Sequence, residues 1–177
     1  MMSPVQLVVI AGPAGTGKST LANALAKELN ATHLDFDTVN TELVRQKRAE
    51  HPQLSEPELL AKIKGERYLG LAQAIRESVD PTIIASGPFS QHSQDARLWN
   101  QWLQDCGNAR AVEFFWLDLD PEIRRLRIRQ RGSARDAPIV ESDLVLDPVP
   151  WPVFPHHLVA AGTPTAEQLA AVLDQIR

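Results

Sequence analysis

Gly12 to Thr20 read GPAGTGKST, which sets two glycines, a lysine and a serine at the G-x-x-x-x-G-K-[ST] spacing of a loop that wraps phosphate. The glycines let successive backbone N–H groups turn inward around a polyphosphate, and a helix starting behind the loop adds the partial positive charge of its N-terminus. In that geometry Lys18 reaches the β- and γ-phosphates of a nucleotide and the Ser19 hydroxyl ligates Mg²⁺. The candidate nucleotide contacts are Gly12, Pro13, Ala14, Gly15, Thr16, Gly17, Lys18, Ser19 and Thr20.

Such a loop works only between a strand and a helix. Val5 to Ile10 form a short β-branched apolar run before it, and Leu21, Leu25 and Leu29 recur at helical spacing behind it. The same alternation continues along the chain, the sign of an α/β fold: a three-layer α/β/α arrangement with a five-stranded parallel sheet. The expected strands are Gln6–Ile10, Thr32–Phe36, Thr82–Ser86, Ala111–Leu117 and His157–Ala160. The expected helices are Lys18–Leu29, Thr38–Ala49, Glu56–Ser78, Asp95–Asp105, Pro121–Arg131 and Pro164–Ile176. Asp120-Pro121 and Thr163-Pro164 each place a capping oxygen before a proline at the first helical position. Five prolines crowd Gly132 to Pro155, and a loop of that length reads as a lid with its return path, spanning about 131–155.

Open α/β sheets bind ligands at the carboxyl ends of their strands, so the residues after each strand are the informative ones. After the second strand, Asp35 and Asp37 lie on one side of the chain and face the phosphate loop. Phosphoryl transfer needs one carboxylate near the metal and one to take the proton of an attacking hydroxyl, and we assign Asp35 and Asp37 to those jobs in turn. A helix cap is the plainer reading of Asp37.

The third strand ends in Ser86-Gly87-Pro88-Phe89, where many phosphate-loop proteins carry an acid and this chain has Ser86. Ser86 and Phe89 are taken as substrate contacts against the alternative of a structural turn. His92 reads as a surface histidine.

After the fourth strand, six arginines fall between Arg124 and Arg135. Arg127 and Arg131 share a helix face, and Arg135 follows from the loop. Guanidinium groups stack on adenine and fork onto phosphate oxygens, tasks assigned to Arg127, Arg131 and Arg135; Arg124, Arg125 and Arg129 are read as a solvated face. Gly162, Thr163 and Pro164 could wall the adenine after the last strand. Arg45 and Arg67 are the candidates for the acceptor pocket, by their place between the second and third strands.

With 177 residues the chain suits one domain, 1–177. A net charge of −4 disfavours a broad nucleic-acid or anionic-membrane surface and suits small-molecule partners; it leaves the oligomeric state open. Neither a cleavable leader nor an apolar run of membrane-spanning length stands in the sequence, and a single Cys106 fits a reducing compartment, so a cytoplasmic setting is expected.

The order of these features resembles the small P-loop kinases: shikimate, gluconate and adenylate kinases, with chloramphenicol phosphotransferase, polynucleotide kinase domains and AAA-type ATP-binding proteins further off. Asp35-Phe36-Asp37 looks like the D-x-D of shikimate-type kinases. Arg131-Gly132-Ser133-Ala134-Arg135 is similar to the adenylate-kinase-like spacing of an adenine-stacking and a phosphate-contacting arginine, and Ala161 to Pro164 resemble the adenine-side loop. The resemblance implies an ATP-dependent, Mg²⁺-assisted phosphotransferase, with Lys18, Asp37, Arg131 and Arg135 as catalytic residues and a small-molecule hydroxyl as acceptor. The alternatives are an ATP-hydrolysing switch without such an acceptor and a kinase of nucleotide or nucleic-acid ends.

Overall fold

A computed structural model describes residues 5–107, 110–132 and 149–176. Five strands, β1 (Val5–Ala11), β2 (Thr32–Asp35), β3 (Thr82–Gly87), β4 (Arg110–Asp118) and β5 (His157–Ala160), form one parallel sheet in the order β2-β3-β1-β4-β5. The strand that feeds the phosphate loop is therefore central, flanked on both sides by strands whose ends can also carry site residues. Leu7, Val8, Val9, Ile10 and Ala11 are all buried, with no polar position among them, because helices cover both faces of the sheet.

Alternation along β1 sorts the core into two halves. Leu7, Val9 and Ala11 face an aromatic cluster with Phe36, Tyr68, Phe89, Trp99, Trp102 and Trp116. Val8 and Ile10 face Leu21 and Leu25 of α1 (Lys18–Leu29) and Val172 of the last helix. The aromatic half lies on the side of the helices that carry Tyr68, Trp99 and Trp102. It is knit by offset and edge-on rings, among them Phe89 and Trp102 at 4.9 Å between centroids.

The helices between β2 and β3 are more divided than the sequence suggests. Phe36 opens a single turn, α2 (Phe36–Val39), and does not end the strand; Asn40 then separates it from α3 (Thr41–Glu50). Asn40 is buried, and its amide donates to the carbonyls of Phe36 (2.7 Å) and Arg67 (2.9 Å), so the break is a tie between two helices. The expected single helix over Glu56–Ser78 is two, α4 (Glu56–Lys62) and α5 (Lys64–Glu77), joined at Ile63 with φ −96° and ψ 14°. A capping box of Ser55 and Glu58 starts the first of them.

Further along, α6 (Ala96–Asp105) is capped by Asp95, and α7 (Pro121–Arg131) by Asp120, whose carboxylate accepts from the amides of Glu122 (2.9 Å) and Ile123 (3.4 Å) as its Asp-Pro signal predicts. The Thr163-Pro164 signal resolves differently. Helix α8 spans Thr165–Ile176, the Pro164 carbonyl accepts its first bonds, and the Thr163 hydroxyl turns back to the Ala160 carbonyl at 2.8 Å.

Of the expected lid, 133–148 lie outside the described residues, Arg135 included. The return path is anchored. The Gln94 amide donates to the Pro150 and Trp151 carbonyls, Val153 N–H donates to Ser93, and the Phe154 ring stacks on Trp99 at 4.8 Å.

Candidate functional site

The phosphate loop joins the end of β1 to α1 and is braced from inside. Thr16, buried, donates its hydroxyl proton to the Pro13 carbonyl at 2.8 Å, and Lys18 Nζ donates to the same oxygen at 2.9 Å. Two glycines are dictated by geometry. At Gly12 (φ 151°) a Cβ would come within 2.9 Å of the Leu117 carbonyl oxygen, and at Gly15 (φ 82°) within 2.9 Å of Ile128 Cγ1. Helix α7 thus lies directly on the loop, so a side chain there would push the two apart. The N-cap of α1 is Gly17 in the left-handed conformation, with no side-chain cap and no acid in the first turn. Such a helix start suits an anionic ligand.

Asp35 is the hub between this loop and its surroundings. Its Oδ2 accepts from the Ser19 hydroxyl (2.8 Å) and the Ser86 hydroxyl (2.9 Å), while its Oδ1 accepts from the amides of Asp37 (3.0 Å) and Thr38 (3.2 Å). Burial pushes the carboxyl up, but the bonds from Ser19, Ser86 and the two amides outweigh it and hold its pKa below the ordinary carboxylate value. The helix cap considered for Asp37 is thus made by Asp35. Ser86, expected as a substrate contact, is fully buried and gives its hydroxyl proton to Asp35. Behind it stands His33, with Nε2 at 2.7 Å from Ser86 Oγ and Nδ1 at 2.7 Å from Asn23 Oδ1. Nothing in the sequence flags His33 or Asn23; only the pairing of Asp35 with Ser86 across β2 and β3 brings them in.

Freed from capping, the Asp37 carboxylate pairs with Arg67. Arg67 is 7% exposed, lies over the Phe36 ring at 4.2 Å, and has its backbone carbonyl held by Asn40. A buried guanidinium so fixed positions the carboxylate beside it.

These groups share one cleft of about 400 Å³. The phosphate loop from Ala14 to Thr20 forms one wall, Asp35, Phe36, Asp37 and Arg67 the facing one, and Pro57, Leu60, Gly87, Pro88 and Arg131 complete it. Mg²⁺ takes one or two carboxylates and completes its shell with phosphate oxygens and water. Ser19 and the ionised Asp35 fit that pattern, and among the described residues there is no cluster of three or more His, Cys, Asp or Glu that would hold a metal by itself.

Other sequence candidates lie elsewhere. Arg45 is exposed and paired with Glu42 at 2.6 Å, outside the cleft lining, because α3 turns it to solvent. Phe89 is wholly buried in the aromatic core, its backbone amide bound to the Tyr68 hydroxyl at 2.8 Å, and so is not available to a substrate. His92 is also core and not surface: it packs on Tyr68 at 4.1 Å, and burial, aided by Lys64 and opposed by Asp95, pushes its pKa down to about 4. Arg127 reaches the Ala161 carbonyl at 3.3 Å, which brings it beside Gly162, Thr163 and Pro164. The buried Gln168 braces that loop through the carbonyls of Ala161 and Thr163, a role its sequence position does not announce. Arg124, expected on a solvated face, is 8% exposed and packs against Gly15.

Solved structures share this arrangement over nearly the whole chain. A sugar kinase from Janibacter sp. HTCC2649 superposes with a TM-score of 0.64 at 20% identity, covering 97% of this chain and 94% of its own. The APS kinase of Mycobacterium tuberculosis, solved with AMPPNP and APS, gives 0.64 at 18%, covering 97% and 96%. A gluconokinase from Sinorhizobium meliloti 1021 gives 0.60 at 16%, covering 97% and 90%. At these identities the likeness establishes the P-loop kinase fold. No curated protein matches the chain in sequence. A family model described as an AAA domain matches residues 7–147, from β1 through the phosphate loop and α7, and by that match the chain belongs to the AAA domain family.

Proposed function

We propose that this protein transfers the γ-phosphoryl group of ATP to a hydroxyl of a small molecule, with Mg²⁺ assistance. The observation that carries this reading is the cleft itself: a phosphate cradle faces, across a few residues, a carboxylate held by a buried arginine.

The loop amides and the uncapped start of α1 would hold the β- and γ-phosphates, and Lys18 would leave the Pro13 carbonyl to bind them. Ser19 and Asp35 would hold Mg²⁺, which when bound neutralises charge shared by the β- and γ-phosphates. Asp37, fixed by Arg67, orients the acceptor hydroxyl and takes its proton as the oxygen attacks the γ-phosphorus and the bond to the β-phosphate oxygen breaks, releasing ADP. Arg131 in the cleft, with Arg135, would meet the charge that develops on the moving group. Arg127 and the 161–164 loop would flank the base. The reading takes 1–177 as one unit, with 131–155 as lid and return, working in the cytoplasm. Among the described residues no helix is long and apolar enough to cross a membrane.

A switch that hydrolyses ATP is the second reading, favoured by Ser86 standing where an acid could support the metal. One experiment separates them: ATP consumption with Mg²⁺ across sugars, nucleosides, aminoglycosides and hydroxy acids, read by product mass. A product heavier by one phosphoryl group supports the kinase and names its acceptor class. Hydrolysis at one rate with every compound, and no such product, overturns it.

A further inference from the structure

A second cavity, of about 380 Å³, lies on the other side of the phosphate loop, bounded by Pro13, Trp116, Asp118, Pro121, Arg124 and Trp151. It is separate from the cleft, whose lining begins at Ala14. Its outer wall is built: the Trp151 carbonyl is held by Gln94 at 3.0 Å, and Val153 N–H is held by Ser93 at 2.8 Å.

One group in it lacks a partner. Arg124 is 8% exposed, and its Nε is buried without a hydrogen bond. Its stem packs on Gly15, and burial lowers its pKa. The two carboxylates in the same cavity form no ion pair with it. Asp120 is engaged with the amides of Glu122 and Ile123, and Asp118 is exposed and forms no ion pair with Arg124. A buried guanidinium facing an aromatic-lined cavity is complementary to an anion with an apolar body. Asp118 and Asp120 would repel a dianion, which favours a single negative charge, and the planar guanidinium matches a carboxylate.

We propose that this cavity is a binding subsite for a small organic carboxylate, its apolar body against Trp116 and Trp151 and its carboxylate on Arg124.

The test is tryptophan fluorescence of the full chain, without nucleotide and at constant ionic strength, titrated with 3-phenylpropionate and with the uncharged 3-phenylpropionamide. The carboxylate gives a saturable change, and the amide binds about tenfold more weakly or worse, the size of one charge-assisted hydrogen bond. Arg124→Gln brings the carboxylate down to the amide's level. Because the Arg124 stem packs on the phosphate loop, Trp151→Ala tests the same cavity from its exposed wall, and it weakens both probes. Equal affinity for the two probes, no saturable response to either, or carboxylate binding unchanged in both variants overturns the subsite. Neither readout involves ATP, so failure here leaves the kinase reading intact, and a failed acceptor screen leaves this one intact.

Discussion

Replacing Asp37 with asparagine should separate phosphoryl transfer from nucleotide binding, and Lys18→Ala supplies the contrast. Asparagine keeps the shape of the side chain and an oxygen for Arg67 but removes the charge. Arg67 is buried while the Asp37 side chain is 45% exposed, so water compensates part of the loss. The stability cost is then about 1 kcal/mol, well below that of breaking a fully buried pair, and lowers Tm by about 2–4 °C. Asp37 lies across the cleft from the loop amides, so the Kd for Mg-ATP measured by calorimetry should stay within about threefold of wild type, the scale of an exposed charge effect. Transfer to the acceptor found in the screen should fall roughly 100- to 10,000-fold, the usual contribution of a positioned base. Lys18→Ala removes a charge-assisted bond to the phosphates and should weaken Mg-ATP by about 10- to 100-fold. Equal losses of ATP affinity in the two variants, or transfer unaffected by Asp37→Asn, would refute the division between the two walls.

Asn40→Ala removes two buried hydrogen bonds, to the Phe36 and Arg67 carbonyls, and should cost about 2–3 kcal/mol in urea unfolding; a change under about 0.5 kcal/mol would show that Asn40 is no tie. Gly15→Ala places a Cβ against Ile128 at a positive φ and should abolish Mg-ATP binding in calorimetry while circular dichroism keeps its helical signal; retained binding would refute the close approach of α7. His92, with a folded pKa of about 4 against 6.5 unfolded, binds a proton more readily in the unfolded chain. Stability is therefore full above pH 6.5 and is lost as pH falls toward 4, by about 2 kcal/mol between pH 7 and 5. His92→Phe should flatten that slope in urea titrations at the two pH values, and an unchanged slope would place the titration elsewhere.

The sheet was legible because each strand is an apolar run followed by a turn signal, and the phosphate loop because its spacing is specific. What escaped was set by contacts distant in sequence. Phe36 joins a helix because Asp35 caps the amides of Asp37 and Thr38, which moves the strand end back by one residue and frees the Asp37 side chain for Arg67. Phe89 and His92 follow a strand end, where ligand contacts are expected, yet a cluster of rings from α5 and α6 claims both. Arg124 belongs to a run of arginines that reads as a solvated face, and only the seating of α7 on Gly15 buries it. Arg67 was chosen by position, and the structure places it at the cleft; Arg45, chosen on the same ground, points away.

Asp35 ties three parts of the molecule together. Its two oxygens join the first turn of α1 through Ser19, the end of β3 through Ser86, and the start of α2 through the amides of Asp37 and Thr38. The residue that would face the metal therefore also fixes the backbone carrying Asp37, while Arg67 holds the Asp37 carboxylate itself. Ser86, where an acid could stand, is consistent with this economy: a second carboxylate there would repel Asp35, whereas a hydroxyl donates to it and is itself backed by His33. The hydroxyl at the end of β3 is thus a device for holding Asp35 ionised and in place, with one charge serving where two would compete.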